Sequence, residues 1–149
     1  MRVGIVGHEG AKFSRVAELA ARELIRGLLL ERDSIVVSGG CHLGGVDLWA
    51  EQEARLMGRK AIIHRPANLR WADGFKPRNL LIAEDSDEIH VIVVREYPPH
   101  FRGMRFDFCY HCGKDSHIKS GGCWTAKVAE RRGKKAYWHI IEQVNGVSQ

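Results

Sequence analysis

Short apolar runs alternate with amphipathic segments along most of this chain, and this alternation restricts the fold more than any other feature. The apolar runs have the length and composition of strands that a sheet buries. They cover residues 3–6, 35–37, 61–63, 89–94 and 136–141. Strands that alternate with helices form parallel sheets covered by those helices. We therefore predict an α/β fold of three layers, with a mainly parallel five-stranded sheet and helices on both faces.

The amphipathic segments predict helices that end at recognisable residues. They cover residues 13–30, 46–57, 77–85 and 124–132. Pro77 suits the first turn of its helix, and Gly58 and Gly133 stand where helices stop. The chain of 149 residues is long enough for one domain with a conventional core, so we expect a single domain over 1–149.

One long polar stretch, 95–122, interrupts this pattern. Loops of that length inside a compact domain are uncommon, and they are usually functional or carry a small structure of their own. We therefore treat 95–122 as a candidate metal-binding loop insertion. At the other end of the pattern, residues 143–149 are expected to form a frayed tail.

Charge and apolar content restrict the partners. The N-terminal apolar run is too short for a signal peptide, and no stretch approaches the roughly 18 apolar residues that span a bilayer. We expect a cytoplasmic protein without membrane contact, in which the cysteines are metal ligands or buried thiols rather than disulfides. The net charge of +5 favours an anionic partner, and nucleic acid and phosphorylated small molecules fit equally.

Glycine-rich turns follow the predicted strands at the place where parallel sheets bind ligands. Ligands lie beyond the carboxyl ends of such strands, near helix N-termini that attract phosphate. The candidate binding residues in these turns are Gly7, His8, Ser38, Gly39, Gly40, Gly44, Gly45, Asp47, Gly121, Gly122 and Thr125. Glycine lets the backbone approach a phosphate, and Asp47 can accept from ribose hydroxyls. Glycine turns also simply join strands to helices, and Asp47 also suits a helix cap.

Arg78 and Asn79 add a guanidinium and an amide at a predicted helix start. Arg78 can hold a phosphate with two parallel hydrogen bonds, although a solvated cation and a local cap are the alternative interpretation of this pair. The dinucleotide fingerprint GxGxxG and the Walker pattern GxxxxGK[ST] are both absent from the sequence. Ordinary NAD enzymes and P-loop ATPases are therefore disfavoured.

Four blocks of the sequence resemble the SLOG superfamily of Rossmann-like domains. They read VVSGG, GGVDLWAEQEA, PRNLLIAEDSDEIHVIVV and SGGCWTAKVAERRGKKAY, and they span most of the chain outside 95–119. The superfamily includes bacterial DNA-processing proteins, LONELY GUY-type phosphoribohydrolases and small stand-alone nucleotide-binding members. The resemblance implies a nucleotide or nucleotide-derived ligand across Gly7, Ser38, Gly39, Gly40, Asp47, Arg78, Asn79, Gly121, Gly122 and Thr125. It also implies self-association into a homo-oligomer.

The sequence departs from the phosphoribohydrolases at their catalytic signature, GGxGTxxE. Trp124 stands in place of its third glycine and Val128 in place of its glutamate, so the general acid/base is missing there. Glu9, Glu51 and His8 remain as candidates, but no spacing pairs them, and we assign no catalytic residue. The sequence favours a sensor or carrier of its ligand, with an N-ribosyl hydrolase or transferase as an alternative.

The long loop carries a pattern of metal-binding residues, Cys109, Cys112, His117 and Cys123. It resembles a retroviral-type zinc knuckle with one extra residue before the last ligand. Three thiolates and an imidazole suit a tetrahedral, structural Zn²⁺. Two alternatives stay open: the match is accidental, or the metal uses a different set of residues that includes Cys41, His42 and His8.

A zinc knuckle usually contacts single-stranded nucleic acid by stacking bases on aromatic rings. Tyr110 and Trp124 are available for that contact. Aromatic and basic residues also alternate just upstream, at Phe101, Arg102, Arg105, Phe106 and Phe108. A nucleic-acid-binding module built on this loop is therefore the alternative to nucleotide binding, although Phe106 and Phe108 also suit a short strand that anchors the loop.

Overall fold

Five strands form the central sheet of the computed structural model, which describes residues 1–31 and 33–143. They are β1 (Arg2–Gly7), β2 (Ile35–Ser38), β3 (Ala61–Ile63), β4 (Glu88–Val94) and β5 (Lys135–Ile141). Their order across the sheet is β3-β2-β1-β4-β5, and each neighbouring pair is parallel. Each strand overlaps one predicted apolar run, so the predicted sheet is confirmed.

The α-helices of the described chain are α1 (Arg15–Glu31), α2 (Val46–Leu56), α3 (Lys76–Asp85) and α4 (Gly121–Arg131). All four overlap predicted segments. α4 begins at Gly121 rather than at Trp124, because Ser120 caps it and its Oγ accepts from the Gly122 N–H at 3.2 Å. α3 follows a single π-helical turn, Trp71–Phe75, which the sequence pattern does not predict.

Helices cover both faces of the sheet. On one face α1 and α2 bury Ile25 and Ala50 against the sheet, and on the other α3 and α4 bury Ile82 and Ala129. Every residue of β4 is buried, as expected for a strand covered on both sides. The three-layer α/β arrangement is therefore confirmed.

The order of the strands reverses between β1 and β4. β2 and β3 follow β1 on one side, whereas β4 and β5 lie on the other side. In open parallel sheets a crevice forms beyond the carboxyl ends of the strands at such a reversal, because the connections leave towards opposite faces. The turns after β1 and β2 and the start of α4 all lie at this end of the sheet.

The connection between β4 and α4, residues 95–120, has neither helix nor strand. Its only ladder contact is an isolated antiparallel bridge between Cys109 and Lys114. Tyr97 and Ile118 anchor the two ends of this segment in the core beneath α1. Two backbone hydrogen bonds form the turn at this bridge, from the Cys109 N–H to the Lys114 carbonyl oxygen at 2.9 Å and from the Gly113 N–H to the Cys109 carbonyl oxygen at 2.7 Å.

Gln143, the first residue of the expected frayed tail, is instead buried. Its side-chain amide donates to the carbonyl oxygens of Lys12 at 2.8 Å and Glu96 at 2.7 Å. The remainder of that prediction, 144–149, lies outside the described residues. Among the residues described, no helix has the length and apolar character needed to span a membrane.

Candidate functional site

A cavity of about 720 Å³ lies beyond the carboxyl end of β1, between the N-terminal ends of α2, α3 and α4. This volume is in the range of small-molecule sites. Eight of the thirteen predicted binding residues line it, namely Gly7, His8, Asp47, Arg78, Asn79, Gly121, Gly122 and Thr125. Most of the binding residues predicted from the sequence therefore line this cavity.

The first turn of α4 forms one wall of this cavity. Ser120, Gly121, Gly122 and Thr125 line it. A Cβ atom added to Gly121 would meet no atom within 4 Å, so this glycine faces open space. A Cβ on Gly122, in contrast, would lie 3.2 Å from the backbone nitrogen of Gly7. The wall is electropositive, because the helix dipole and the N-terminal N–H groups point towards it.

Two lysines absent from the sequence-derived site, Lys12 and Lys119, also line the cavity. Lys12 lies in a short 3₁₀ turn after β1, and its Nζ is 3.5 Å from Glu9 Oε1. Burial lowers the pKa of Lys12, an effect that Glu9 opposes and Lys119 reinforces. An anion in the cavity would offset the repulsion between the two ammonium groups. Neither lysine belongs to a glycine motif, so no local pattern marks either of them.

Arg78 is fixed between α3 and the turn after β2. Its Nη1 donates to the Gly39 carbonyl oxygen at 2.6 Å and its Nε donates to Asn79 Oδ1 at 2.7 Å. The residue is 9% exposed, which differs from the solvated cation of the alternative interpretation. A Cβ on Gly39 would lie 2.3 Å from Arg78 Nη1, so this approach requires glycine. Among residues 1–31 and 33–143, two of the five guanidinium N–H groups of Arg78 have hydrogen-bond acceptors.

Asp47, in the first turn of α2, faces the same cavity with little compensation for its burial. Its Oδ2 lies 4.0 Å from Arg78 Nη1, and the backbone N–H of Cys41 donates to the carboxyl group. Burial raises the pKa of Asp47 to about 6, although both of these partners oppose the rise. A ligand hydroxyl that donates to this carboxylate would therefore be favourable.

The other five predicted binding residues, Ser38, Gly39, Gly40, Gly44 and Gly45, are not among the lining residues. Ser38 Oγ donates to the Ile5 carbonyl oxygen at 2.8 Å. Gly45 has a φ of +82°, and a Cβ there would lie 2.3 Å from the His8 carbonyl oxygen. Two of these five residues, Gly40 and Gly44, line a neighbouring cavity of about 640 Å³ instead. The turn after β2 thus packs tightly against the turn after β1.

His8 lines the cavity, but both of its ring nitrogens are engaged within the protein. Nδ1 accepts from the Val94 N–H at 2.9 Å, and Nε2 donates to the carbonyl oxygens of Ile118 at 3.0 Å and Lys119 at 2.9 Å. Burial lowers its pKa to about 3, so the ring is neutral with its proton on Nε2. His8 therefore ties residues 118–119 to the end of β4.

Aromatic side chains supply the apolar part of the cavity. The rings of Trp71 and Trp124 meet edge to face with their centroids 5.0 Å apart. Phe75 and Tyr110 also line the cavity, and the Arg78 guanidinium lies 5.5 Å from the Phe75 ring centroid. Rings of this kind provide flat contact area for a planar ligand. Trp71, which the sequence places in an irregular stretch, belongs to the π-helical turn.

Four side chains form a Cys/His cluster, defined as Cys109, Cys112, His117 and Cys123, whose ligand atoms all lie within 4.8 Å of one another. His117 Nε2 is 3.5 Å from Cys112 Sγ and 3.3 Å from Cys123 Sγ. A tetrahedral ion with bonds of about 2.0–2.3 Å separates its ligand atoms by roughly 3.3–3.8 Å. The cluster could therefore hold a metal ion, and it is the predicted set of ligands.

Hydrogen-bond donors surround the sulfur atoms of the Cys/His cluster. Trp138 Nε1 donates to Cys123 Sγ at 3.3 Å, and the Ser120 N–H donates to Cys109 Sγ at 3.5 Å. Hydrogen bonds with Cys123 and His117 lower the pKa of Cys109 to about 2, which favours the thiolate. Donors of this kind commonly orient and tune the ligands of metal sites.

The alternative metal set is not assembled. Within the described residues, Cys41, His42 and His8 form no group with metal-binding spacing. The ring nitrogens of His8 are already engaged, as described above. Cys41 lines the cavity as a free thiol, and burial raises its pKa.

The candidate acid/base residues are dispersed. Val128, which replaces the signature glutamate, packs in the core between α4 and the sheet. Glu51 lies outside the cavity lining and accepts from Arg55 Nη2 at 2.9 Å. Of the carboxylates considered from the sequence, Glu9 and Asp47 line the cavity.

Two solved structures resemble this chain. DNA processing protein A (DprA) from Streptococcus pneumoniae matches 91% of this chain and 49% of its own, with a TM-score of 0.56 and 16% identity. The molybdenum cofactor carrier protein from Chlamydomonas reinhardtii matches 95% of this chain and 77% of its own, with a TM-score of 0.60 and 18% identity. The chain shares the fold of these two proteins. The Rossmann-like architecture expected from the sequence resemblance is thereby confirmed.

The chain spans about half the length of DprA. No family model matches its sequence, and a search of curated proteins finds no similar sequence either. Identities below 20% establish the fold alone. Ligand and role must therefore be argued from the cavity and the Cys/His cluster.

Proposed function

We propose that this protein binds a nucleotide, or a phosphorylated ligand derived from one, in the cavity beyond β1 and acts as its carrier or sensor. The observation that carries this proposal is the convergence of three kinds of group in one cavity. They are the N-terminus of α4, the cations Lys12, Lys119 and Arg78, and the rings of Trp71, Phe75 and Trp124.

The positive groups fit a phosphate. Gly121 leaves open space in front of the first turn of α4, where backbone N–H groups bind phosphate in many proteins. Burial lowers the pKa of Lys12 and the charge of Lys119 adds to this effect, and an anion between the two ammonium groups would relieve their repulsion. The hydrogen bonds that Arg78 makes to Gly39 and Asn79 fix its guanidinium before a ligand arrives, which reduces the entropy lost on binding.

The remaining groups fit a base and a sugar. The faces and edges of Trp71, Phe75 and Trp124 suit a planar heteroaromatic ring. Asp47 is buried with its nearest guanidinium nitrogen, Arg78 Nη1, 4.0 Å away, and a ribose hydroxyl would satisfy its carboxylate. Phosphate, sugar and base chemistry therefore have candidate partners in the same cavity. The site residues that we propose are the eight predicted ones that line the cavity, together with Lys12 and Lys119.

A binding role is favoured over catalysis because the position of the signature glutamate is occupied by the buried Val128. The name of the Chlamydomonas relative describes a cofactor carrier, which agrees with a carrier role. An N-ribosyl hydrolase or transferase would require Glu9 or Asp47 to act as the acid/base, and neither is paired with a second group suited to that chemistry.

Zn²⁺ is the metal that best suits the Cys/His cluster. Three cysteine sulfurs and one imidazole nitrogen form a soft, closed, tetrahedral donor set, typical of structural zinc. The ion would cross-link the 95–120 segment to α4 through Cys123 and leave no open coordination position for catalysis. Reduced cysteines of this kind suit a cytoplasmic protein, and we propose that location together with a single domain over 1–149.

Binding of single-stranded nucleic acid is the second candidate function. Phe108 and Tyr110 are about half exposed, at 49% and 52%. The Nζ of Lys119 lies 4.8 Å from the Phe106 ring centroid and 5.3 Å from that of Tyr110. Exposed rings beside cations are typical platforms for stacked bases. This function would weaken steeply with added salt, and the name of the Streptococcus relative, a DNA processing protein, agrees with it.

Native mass spectrometry of the purified protein tests these proposals together, because it reports bound nucleotide, bound zinc and the number of subunits. Calorimetric titration with ribonucleoside 5′-monophosphates then measures affinity. Arg78→Met should lower affinity roughly tenfold to a hundredfold, because hydrogen bonds to a charged group are lost. Arg15→Met, on the exposed face of α1, is the matched control. Equal affinities for the two variants, or no binding by the wild type, would refute nucleotide binding in this cavity.

A further inference from the structure

We propose that metal binding at the Cys/His cluster and ligand binding in the cavity are linked, because the metal holds one wall of the cavity in place. This wall, the cluster wall, comprises residues 109–123. The inference rests on the proposed function, since it concerns the regulation of the same cavity. Three observations support it: the order of residues along the chain, the lack of regular secondary structure in the wall before α4, and the contacts of the cluster with α4.

Residues that line the cavity lie between the metal ligands along the chain. Tyr110 and His111 lie between Cys109 and Cys112. Residues 119–122, which include the first turn of α4, lie between His117 and Cys123. Both lining segments are therefore bracketed by ligands on either side. An ion that fixes the four ligand atoms fixes the two segments between them.

The cluster wall has no regular secondary structure before α4. Residues 95–120 contain neither helix nor strand, and besides Tyr97 and Ile118 near the ends of the segment, the buried residue that joins it to the core is the cluster member Cys109. Between those ends, the deepest side chains are the cluster members Cys109, fully buried, and His117, 1% exposed. A loop without its own core gains its order from metal coordination, as small metal-binding domains do.

The metal-free cluster is an unfavourable packing of polar groups. Three sulfur atoms and an imidazole share one small buried volume, with their ligand atoms all within 4.8 Å of one another. Separation of these groups relieves that cost. Because Cys109 accepts from the Ser120 N–H, and Ser120 caps α4, such a separation would displace the helix start that faces the ligand.

Linkage between two sites is reciprocal: if the metal raises ligand affinity, the ligand raises metal affinity by the same factor. Coupling of this kind commonly amounts to about 5- to 150-fold. The protein would then bind its ligand more tightly when metal is available and more weakly when the metal is withdrawn.

The test compares zinc-loaded protein with the same protein after chelation and gel filtration. Adenosine monophosphate, the probe ligand, is titrated into both forms by calorimetry, and hydrogen exchange without nucleotide is followed by mass spectrometry. We expect metal removal to weaken the probe's binding about 5- to 150-fold and to speed exchange in 109–123, while β1, β2 and β4 stay protected. Equal affinities in the two forms, or unchanged exchange in 109–123, would overturn the linkage.

The two proposals fail differently. If adenosine monophosphate and the other mononucleotides bind neither form, the proposed function fails, whereas metal-dependent exchange still decides whether the metal holds the cluster wall. The variant Cys112→Ala gives the same comparison without a chelator. Because Cys112 is half-buried, its substitution perturbs the core less than substitution of the buried Cys109 or Cys123 would. Asp115→Ala, an exposed residue of the same wall, is its matched control and should bind the probe and Zn²⁺ as the wild type does. Should Cys112→Ala not fold, the chelated wild type decides the outcome alone.

Discussion

The two walls of the cavity are built by different means. One, the turn wall, comprises the turns at 7–12 and 39–47, where backbone packs directly against backbone: the Val46 N–H donates to the His8 carbonyl oxygen at 3.1 Å. The cluster wall at 109–123 instead contains the buried side chains of Cys109, His117 and Cys123, whose ligand atoms lie within 4.8 Å of one another. We therefore expect the fold to fix the turn wall and metal coordination to order the cluster wall. Substitutions should therefore affect the two walls through different measurable quantities.

The largest expected effect is on stability, in the turn wall. Gly45→Ala should lower the free energy of unfolding by about 3 kcal/mol or more, because it combines a positive φ with a steric clash. The new Cβ would lie 2.3 Å from the His8 carbonyl oxygen and 2.5 Å from the Gly10 nitrogen, and both are backbone atoms that cannot move away. Urea unfolding followed by circular dichroism measures the change.

Gly113→Ala is the matched control in the cluster wall. Gly113 also has a positive φ, +74°, but a Cβ there would meet nothing within 4 Å. Only the strain of the positive φ remains, and it should lower the free energy of unfolding by about 1 kcal/mol. If the two variants were equally stable, the backbone contact between the two turns would not be what holds the turn wall.

The second prediction concerns metal affinity. Cys109→Ala should weaken Zn²⁺ binding by roughly a hundredfold, since four ligands share about 10–16 kcal/mol of apparent binding free energy and one of them is lost. Competition with a chromophoric chelator measures the affinity, and the absorption of the Co²⁺ form reports the number of thiolates. Cys41→Ala should bind metal as tightly as the wild type. Loss of metal from Cys41→Ala alone would instead favour the alternative set of Cys41, His42 and His8.

A third prediction concerns pH, because His8 joins the two walls. Its pKa is about 3 in the folded protein and near 6.5 when unfolded. Above pH 6.5 neither state binds the proton, so stability is unaffected. Below it the unfolded state is protonated first, and stability should fall by about 2 kcal/mol by pH 5. Urea unfolding at pH 7.5 and pH 5 measures this loss.

The variant His8→Gln isolates the contribution of His8 to that loss. Other groups act in the same direction, notably His139, whose pKa burial lowers to about 4. The variant should be less stable than the wild type at pH 7.5, because the hydrogen bonds to Val94 and 118–119 are weakened, but it should lose about 2 kcal/mol less on acidification. If the free energy of unfolding fell equally with pH in the variant and the wild type, His8 would not remain neutral in the folded protein.

The sequence predicts the fold and the Cys/His cluster well because both depend on residues that lie close together in the sequence. Apolar runs mark buried strands wherever the sheet is covered on both faces, as in β4. The four metal ligands are reactive residue types at short spacing, so the pattern from Cys109 to Cys123 is visible without a structure. Arg78 and Asn79 are marked by their place at the helix start after Pro77.

The rest of the site has no such local sequence pattern. Lys12 and Lys119 lie 107 positions apart in the sequence and meet only when β1 and α4 come together, so neither is distinguished from a surface lysine. The glycines of the turn after β2 are predicted as ligand contacts, but several serve backbone packing, which has the same sequence pattern. Whether a glycine faces a ligand or another backbone depends on tertiary contacts.

The smallest expected change in stability comes from Gly121, which faces the open space that we propose for phosphate. Gly121→Ala should change the free energy of unfolding by no more than about 0.5 kcal/mol, because alanine favours a helix and its Cβ meets nothing within 4 Å. The methyl group would nevertheless occupy the space proposed for phosphate, so nucleotide affinity should fall roughly tenfold. Gly27→Ala in α1, which also meets nothing within 4 Å, should leave affinity unchanged. Calorimetric titration of both variants decides the matter: if Gly121→Ala binds mononucleotides like Gly27→Ala, the phosphate does not lie against the start of α4.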